Sequence, residues 1–220
     1  LALDFPRKTL KGRCVLSLQA IADQVQDLVL DAVDFKDVKI SSAGRPLTFE
    51  NTGRQLKIRW KKAWRRGQRL ELSVLYRVTQ PKLGLHFVGP DRQYPSKPLQ
   101  AWTQGEDEYN RYWYPCHDAP QERATTEMVI TVPEKMTAVS NGALLSERRH
   151  GKQRTFHWKH KVPHPPYLVS LAVGEFTEIR DHWNRVPVQY FCPPGREDDA
   201  RRAFSKTPAM MEFFSKKLGV

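Results

Sequence analysis

Short apolar runs with a period of two recur along this chain, and they constrain its fold more than any other feature. Cys14-Val15-Leu16-Ser17-Leu18, Gln55-Leu56-Lys57-Ile58-Arg59-Trp60 and Leu70-Glu71-Leu72-Ser73-Val74-Leu75-Tyr76 alternate or nearly alternate. Glu127-Met128-Val129-Ile130-Thr131-Val132, Arg154-Thr155-Phe156-His157-Trp158 and Tyr167-Leu168-Val169-Ser170-Leu171-Ala172-Val173 repeat the pattern further on. In an extended chain successive side chains point to opposite faces, so such runs make strands with one buried face. Turn signals at Ala43-Gly44-Arg45-Pro46, Arg66-Gly67 and Asn141-Gly142 separate them. The implied fold is mostly β, an antiparallel saddle-like sheet or β-sandwich, with no helix of convincing length before residue 196.

The pattern changes after Phe176. Val186 to Phe191 reads as one more strand, and Cys192-Pro193-Pro194-Gly195 then breaks the chain. From Arg196 the apolar spacing lengthens to about 3.6, placing Ala200, Ala203, Phe204, Met211, Phe214 and Leu218 on one helical face. Asp198 and Asp199 in the first turn and Lys216 and Lys217 in the last suit the helix dipole. Pro208 should kink or split this helix. Its apolar stripe has no partner helix in the chain. The expected organisation is a β-rich amino-terminal domain over 1–179 and the beginning of a second, truncated domain over 180–220, both ends cut from something longer.

With 220 residues, 40% of them apolar, the chain can bury a substantial core and is no disordered segment. It contains no run of about 18 apolar residues, the length a membrane-spanning helix needs. Cys14, Cys116 and Cys192 stand far apart, in neither a metal-binding nor a redox spacing. They argue against a disulfide scaffold and for a reducing compartment, so the cytoplasm is the expected location; a trimmed start leaves a secreted or periplasmic protein open. The net charge of +12 concentrates at Arg59–Arg66 and Arg148–Lys161. In the first cluster Trp60 and Trp64 interleave with cations, a pattern able to stack on bases and neutralise phosphates. The plainer and preferred reading is a hairpin whose tryptophans pack inward while its cations stay in water.

The chemistry lies between these strands. Gln104-Gly105-Glu106-Asp107 leads into Trp113-Tyr114-Pro115-Cys116-His117-Asp118-Ala119-Pro120, an acidic cluster in a loop crowded with aromatics and prolines. Such a loop builds a core poorly and holds one carboxylate in place well. On spacing alone, Glu106 is one loop acid beside Asp107 and Glu108.

The stretch from Ala101-Trp102-Thr103-Gln104-Gly105-Glu106 through Glu127 resembles the zinc aminopeptidases of the alanyl aminopeptidase (aminopeptidase N) family. Gly84-Leu85-His86-Phe87-Val88 is similar to that family's Gly-Leu-Tyr segment ahead of its Thr-Gln-x-Glu loop. Ser170-Leu171-Ala172-Val173-Gly174-Glu175-Phe176 is similar to the strand closing its amino-terminal domain. Phe213-Phe214-Ser215-Lys216-Lys217-Leu218-Gly219 resembles the first helix of its thermolysin-like catalytic domain. This ordered set spans nearly the whole chain.

The resemblance implies a β-rich amino-terminal domain leaning over a zinc site, then the first strand and helix of a truncated α/β catalytic domain. It implies that Glu106 binds the free α-ammonium of a peptide substrate and that Gln104 lines the pocket for the first side chain. A partly buried carboxylate is a natural partner for an ammonium. The implied parent is a zinc metalloaminopeptidase whose partners are peptide substrates and its own catalytic domain. The family's His-Glu-x-x-His helix, more distant Glu ligand and Gly-x-Met-Glu-Asn loop would lie beyond Val220. Zinc is therefore expected in the parent and not in this chain, and no catalytic residue is assigned here.

Pro115-Cys116-His117-Asp118-Ala119-Pro120 departs from the family's Pro-Cys-Phe-Asp-Glu-Pro at His117 and Ala119. It reads as architectural, with Asp118 accepting backbone hydrogen bonds and Arg111 and Arg123 available to pair with loop acids. Cys116 lacks a neighbouring base and is not read as a nucleophile. His157, His160 and His164 have spacings that suit a metal site on a helix, but they fall in a strand-like run ending at Pro163, where their side chains should not converge. Two other function classes stay open. One is a non-catalytic scaffold relative of the same fold in a large assembly such as the general transcription machinery, which the basic excess would suit. The other is a nucleic-acid-binding β-domain built on Trp60 and Trp64.

Overall fold

The computed structural model describes residues 1–219. Its strands begin with β1 (Ala2–Asp4), β2 (Thr9–Gln19), β3 (Val25–Asp31), β4 (Lys36–Ser42), β5 (Arg45–Pro46) and β6 (Phe49–Asn51). There follow β7 (Gln55–Trp64), β8 (Arg69–Thr79), β9 (Leu85–Val88), β10 (Gln100–Thr103), β11 (Ala124–Pro133) and β12 (Thr137–Ser140). The last are β13 (Ala143–His150), β14 (Gln153–His164), β15 (Leu171–Gly174), β16 (Thr177–Trp183) and β17 (Val186–Cys192). Two helices close the chain, α1 (Glu197–Phe204) and α2 (Thr207–Leu218).

The strands form one large sheet in the order β13-β14-β11-β1-β2-β8-β4-β5, with smaller sheets β3-β7-β6 and β12-β15-β10-β9 and the hairpin β16-β17. Pairing is antiparallel except between β1 and β11, which run parallel at Ala2 and Thr131. The fold is thus mostly β and antiparallel, as the alternating runs imply. Along β8, Leu72, Val74, Tyr76 and Val78 point inward, as do Leu56, Ile58 and Trp60 on β7 and Met128, Ile130 and Val132 on β11. All belong to one core cluster that joins the sheets. Each large aliphatic side chain removed from water there contributes about 1.5–3 kcal/mol.

The stretch from Arg59 to Arg66 runs out along β7, the second arm of a hairpin with β6, and does not fold back onto β8. β7 pairs with β3 and β6 while β8 pairs with β2 and β4, so the turn at Gly67 carries the chain from one sheet to another. Register was not legible because both strands alternate equally well. The tryptophans do pack inward: Trp60 is buried, Trp64 half-buried, and their rings meet edge to face at 6.1 Å. That packing removes the base-stacking platform on which a nucleic-acid role rested.

The terminal helix is two helices. α1 ends before Ser205, and Pro208 sits in the first turn of α2, where a missing N–H costs nothing. Only Ala200 of the expected apolar face is buried, and Phe204, Phe214 and Leu218 are exposed. Ile179, Tyr190, Cys192 and Ala200 form a second small cluster, separate from the main core. The strand expected at Val186 pairs with β16, which spans the position between 179 and 180. Val220 lies outside the described residues.

Candidate functional site

The acidic loop leaves the end of β10, a strand held between β9 and β15. Gln104 N–H donates to the carbonyl of Gly84 at 2.9 Å, and Leu171 N–H donates to Thr103 Oγ1 at 2.8 Å. The chain then turns at Gly105, which is buried. A Cβ there would lie 2.5 Å from the Tyr167 carbonyl and 2.8 Å from the Asn110 side-chain amide, so only glycine fits. Gly84 is equally constrained: its φ is +76° and a Cβ would overlap the carbonyl of Tyr109.

Asn110 holds the loop in place. Its side chain is fully buried, and its amide nitrogen donates to the carbonyls of Pro166 and Val169. Its Oδ1 accepts from Trp113 Nε1 at 2.7 Å. Trp113 is itself 1% exposed, and Tyr109 N–H closes the turn on the Gly105 carbonyl at 2.9 Å. A buried amide with all these bonds satisfied is a rigid anchor. The sequence reading missed it, although an asparagine amid Tyr109, Tyr112 and Trp113 is the kind of polar residue that must find partners if buried.

On this anchored backbone the acids face water. Glu106, Asp107 and Glu108 are all exposed, so Glu106 is not the partly buried carboxylate expected from the sequence. Glu108 is engaged by Arg111 Nη2 at 2.5 Å. Glu106 N–H donates to Gln104 Oε1 at 3.4 Å, which brings the two candidate residues together. The Glu106 carboxylate makes no hydrogen bond or ion pair among the described residues. Asp107 is likewise unpaired among the described residues, so the loop presents two uncompensated anions on an anchored backbone, and an exposed amide lies beside Glu106.

Arg111 ties this loop to the Pro115–Pro120 segment. Its N–H and Nε donate to Asp118 Oδ2 at 3.0 and 3.2 Å, and its Nη2 donates to the Asp118 carbonyl at 3.0 Å. Burial pushes the Asp118 carboxyl up, and Arg111 opposes that shift. Asp118 N–H in turn donates to Asp31 Oδ2 at 3.1 Å. Backbone bonds of 2.7 and 3.2 Å between Asp31 and Cys116 complete the tie. The architectural reading of this segment holds. Burial raises the Cys116 thiol far above its ordinary range, and that of Cys14 to about 12, so neither is a ready thiolate.

The histidines differ from expectation in one respect. His160 and His164 do converge, their rings 4.6 Å apart. Two residues of β11, Ala124 and Thr126, face His164 and His160 across a register shift, so β14 bulges and shortens the distance between them. His157 points instead to Glu127, at 2.6 Å. Among the described residues no three His, Cys, Asp or Glu side chains gather as a metal site requires. These residues do not fit a zinc ion.

Comparison with known proteins adds four findings. Residues 1–168 match the Peptidase M1 N-terminal domain. Transcription initiation factor TFIID subunit 2 of Danio rerio is 28% identical over 70% of this chain and 14% of its own length. Aminopeptidase B of Mus musculus is 30% identical over 58% of this chain and 19% of its own length. The crystal structure of a mutant M1 zinc metallopeptidase from Deinococcus radiodurans, bound to a Tyr-Ser-Ala substrate, is similar with a TM-score of 0.69 at 22% identity. That likeness covers 85% of this chain and 45% of the other, and at such identity it shows the fold. The chain thus spans less than half the length of each of these relatives. With most of its residues matched in order and its fold shared, the chain belongs to the Peptidase M1 N-terminal domain family.

Proposed function

We propose that this chain is the substrate-recognising, amino-terminal part of a zinc metalloaminopeptidase that removes residues from the free amino end of peptides. The observation that carries the proposal is the exposed, unpaired Glu106 carboxylate on a loop anchored by Asn110, with Gln104 beside it. Family membership and the similarity to aminopeptidase B support it. In this reading Glu106 receives the α-ammonium of the peptide and Gln104 flanks its first side chain. Residues 1–179 form the recognition domain, and 180–220 open a catalytic domain whose remaining residues, outside this chain, hold zinc. Zinc there would polarise the scissile carbonyl and activate water. An exposed ion pair contributes only about 0–1 kcal/mol in water. Glu106 therefore gains strength when bound peptide and the rest of the enzyme exclude solvent.

Glu106→Gln in the full-length enzyme tests the assignment. The expected result is a raised KM and a kcat/KM about a hundredfold lower, equivalent to about 2.8 kcal/mol, with zinc content unchanged. Loss of zinc, or an unchanged kcat/KM, would refute it. The 220-residue chain alone, assayed with added zinc on aminoacyl-anilides, should show no turnover.

A second reading starts from the match to TFIID subunit 2, which covers 70% of this chain, against 58% for aminopeptidase B and 79% for leucine aminopeptidase 2 of Aspergillus terreus. In that reading the fold would serve as a non-catalytic scaffold in a transcription assembly. An intact His-Glu-x-x-His in the full-length protein, with aminopeptidase activity, decides for the enzyme; its loss decides for the scaffold. A scaffold has no use for an ammonium-binding acid, so the presence of Glu106 favours the enzyme.

A further inference from the structure

The outward positions of β2, β8 and β4 fall into cross-strand rows. In one row Leu75 stands between Arg13 and Lys39; in the next, Arg77 stands between Lys11 and Lys36. Neighbours within a row lie about 5 Å apart and successive rows about 7 Å apart, so five cations share one small area of sheet. Like charges directly opposite one another weaken a sheet, and the second row contains two such oppositions. Asp37 engages Arg77 at 2.6 Å, and Arg13 Nε donates to Ser73 Oγ at 3.0 Å. Lys11, Arg13, Lys36 and Lys39 make no ion pair among the described residues.

Two aliphatic side chains stand among these cations. Leu75 and Val15 are each 46% exposed, and Val15 faces Ser73 in the adjoining row. The outward positions of the three strands carry no aromatic side chain on which a base could stack. A nucleic-acid backbone would satisfy the cations and leave both aliphatic groups in water. An acidic segment that also carries apolar side chains would satisfy both. We infer that this face docks an extended acidic–apolar segment of a protein partner, with Lys11, Arg13 and Lys39 meeting its carboxylates around Leu75 and Val15. The surface lies on the large sheet, whereas the Glu106 loop leaves β10 of another sheet, and the inference does not rest on the peptidase reading.

Fluorescence anisotropy tests it with three probes: a labelled peptide of alternating Glu and Leu, a Glu–Ser peptide of the same length and charge, and a short DNA duplex. The Glu–Leu peptide should bind tightest and weaken as salt rises. Lys11→Glu combined with Lys39→Glu should weaken it at least about tenfold, and Leu75→Ser should weaken it several-fold. Both variants should unfold no earlier than the parent, which separates lost binding from lost structure. Failure of the Glu–Leu peptide to bind, binding that survives the charge reversal, equal binding of the Glu–Ser peptide, or tighter binding of the duplex would each overturn the inference.

Discussion

Asn110→Ala is the substitution to which the acidic loop should be most sensitive. It leaves the carbonyl of Val169 and the indole N–H of Trp113 without their partner in a place closed to solvent, while the Pro166 carbonyl keeps its bond from Val169 N–H at 2.8 Å. A buried orphan costs about 1–3 kcal/mol, the carbonyl less than the N–H because it has a second lone pair. The space left by the amide suits one water, which restores part of the loss. The net expectation is about 2–3 kcal/mol, a large share of the 5–15 kcal/mol typical of a domain. Urea unfolding of the 220-residue chain, followed by circular dichroism and by the emission of neighbouring Trp113, should show a lower midpoint with an unchanged slope. Asn110→Asp supplies the control. It keeps the shape and the acceptor for Trp113 but turns an oxygen toward two carbonyls. It should therefore be at least as destabilised at neutral pH and should recover as acid protonates that oxygen into a donor. A loss below about 1 kcal/mol for the alanine variant, or a neutral-pH aspartate variant as stable as the parent, would show that the loop does not depend on this amide.

Two further outcomes follow from the same structure. Gly84→Ala should cost more than about 2 kcal/mol in thermal unfolding, because it combines a left-handed backbone with overlap on the Tyr109 carbonyl. Gly44→Ala, at φ +74° with open space around it, should cost only about 1 kcal/mol, and equal losses at the two sites would contradict the overlap argument. Lys159 and then His157 hold the Glu127 carboxyl below its ordinary value of 4.5. Its folded-state pKa is depressed, so its contribution is complete above the unfolded-state value and disappears as pH falls through the folded one. Glu127→Gln should accordingly flatten the acid limb of a stability–pH profile below about pH 4.5, and superimposable profiles would remove the pair from the account.

Strand content was legible from the sequence because a half-buried strand must alternate, and β2, β7, β8, β11 and β14 all do. Partner choice was not. β7 and β8 follow one another with a turn between them, yet the sheet each joins is settled by contacts with β3 and β2 far along the chain. The site divides the same way. Gln104 and Glu106 were found through a local motif, but their exposure is decided by tertiary packing. Asp31 reaches Asp118 from the end of β3, and Asn110 binds carbonyls of a segment that begins many strands later. No local spacing records such contacts. The split between α1 and α2 was foreseeable from Pro208; the exposure of the α2 stripe was not, since periodicity marks an apolar face without saying what covers it.

The small strand β1 has a consequence for how the protein is made. Ala2 pairs with Lys11 on one side and Thr131 on the other, so three residues splice the half-sheet containing β2, β8, β4 and β5 to the half-sheet containing β11, β14 and β13. On the ribosome β1 emerges ahead of β2–β10, yet its second neighbour β11 is translated only after those nine strands. Throughout that interval the growing chain carries an unfilled sheet edge, the kind of surface that pairs readily with other chains. Contacts of such long sequence separation also form slowly. Biosynthesis of this fold therefore favours shielding of the nascent chain until β11 arrives, and yield in a cell should respond to holdase chaperones more strongly than the stability of the finished protein suggests.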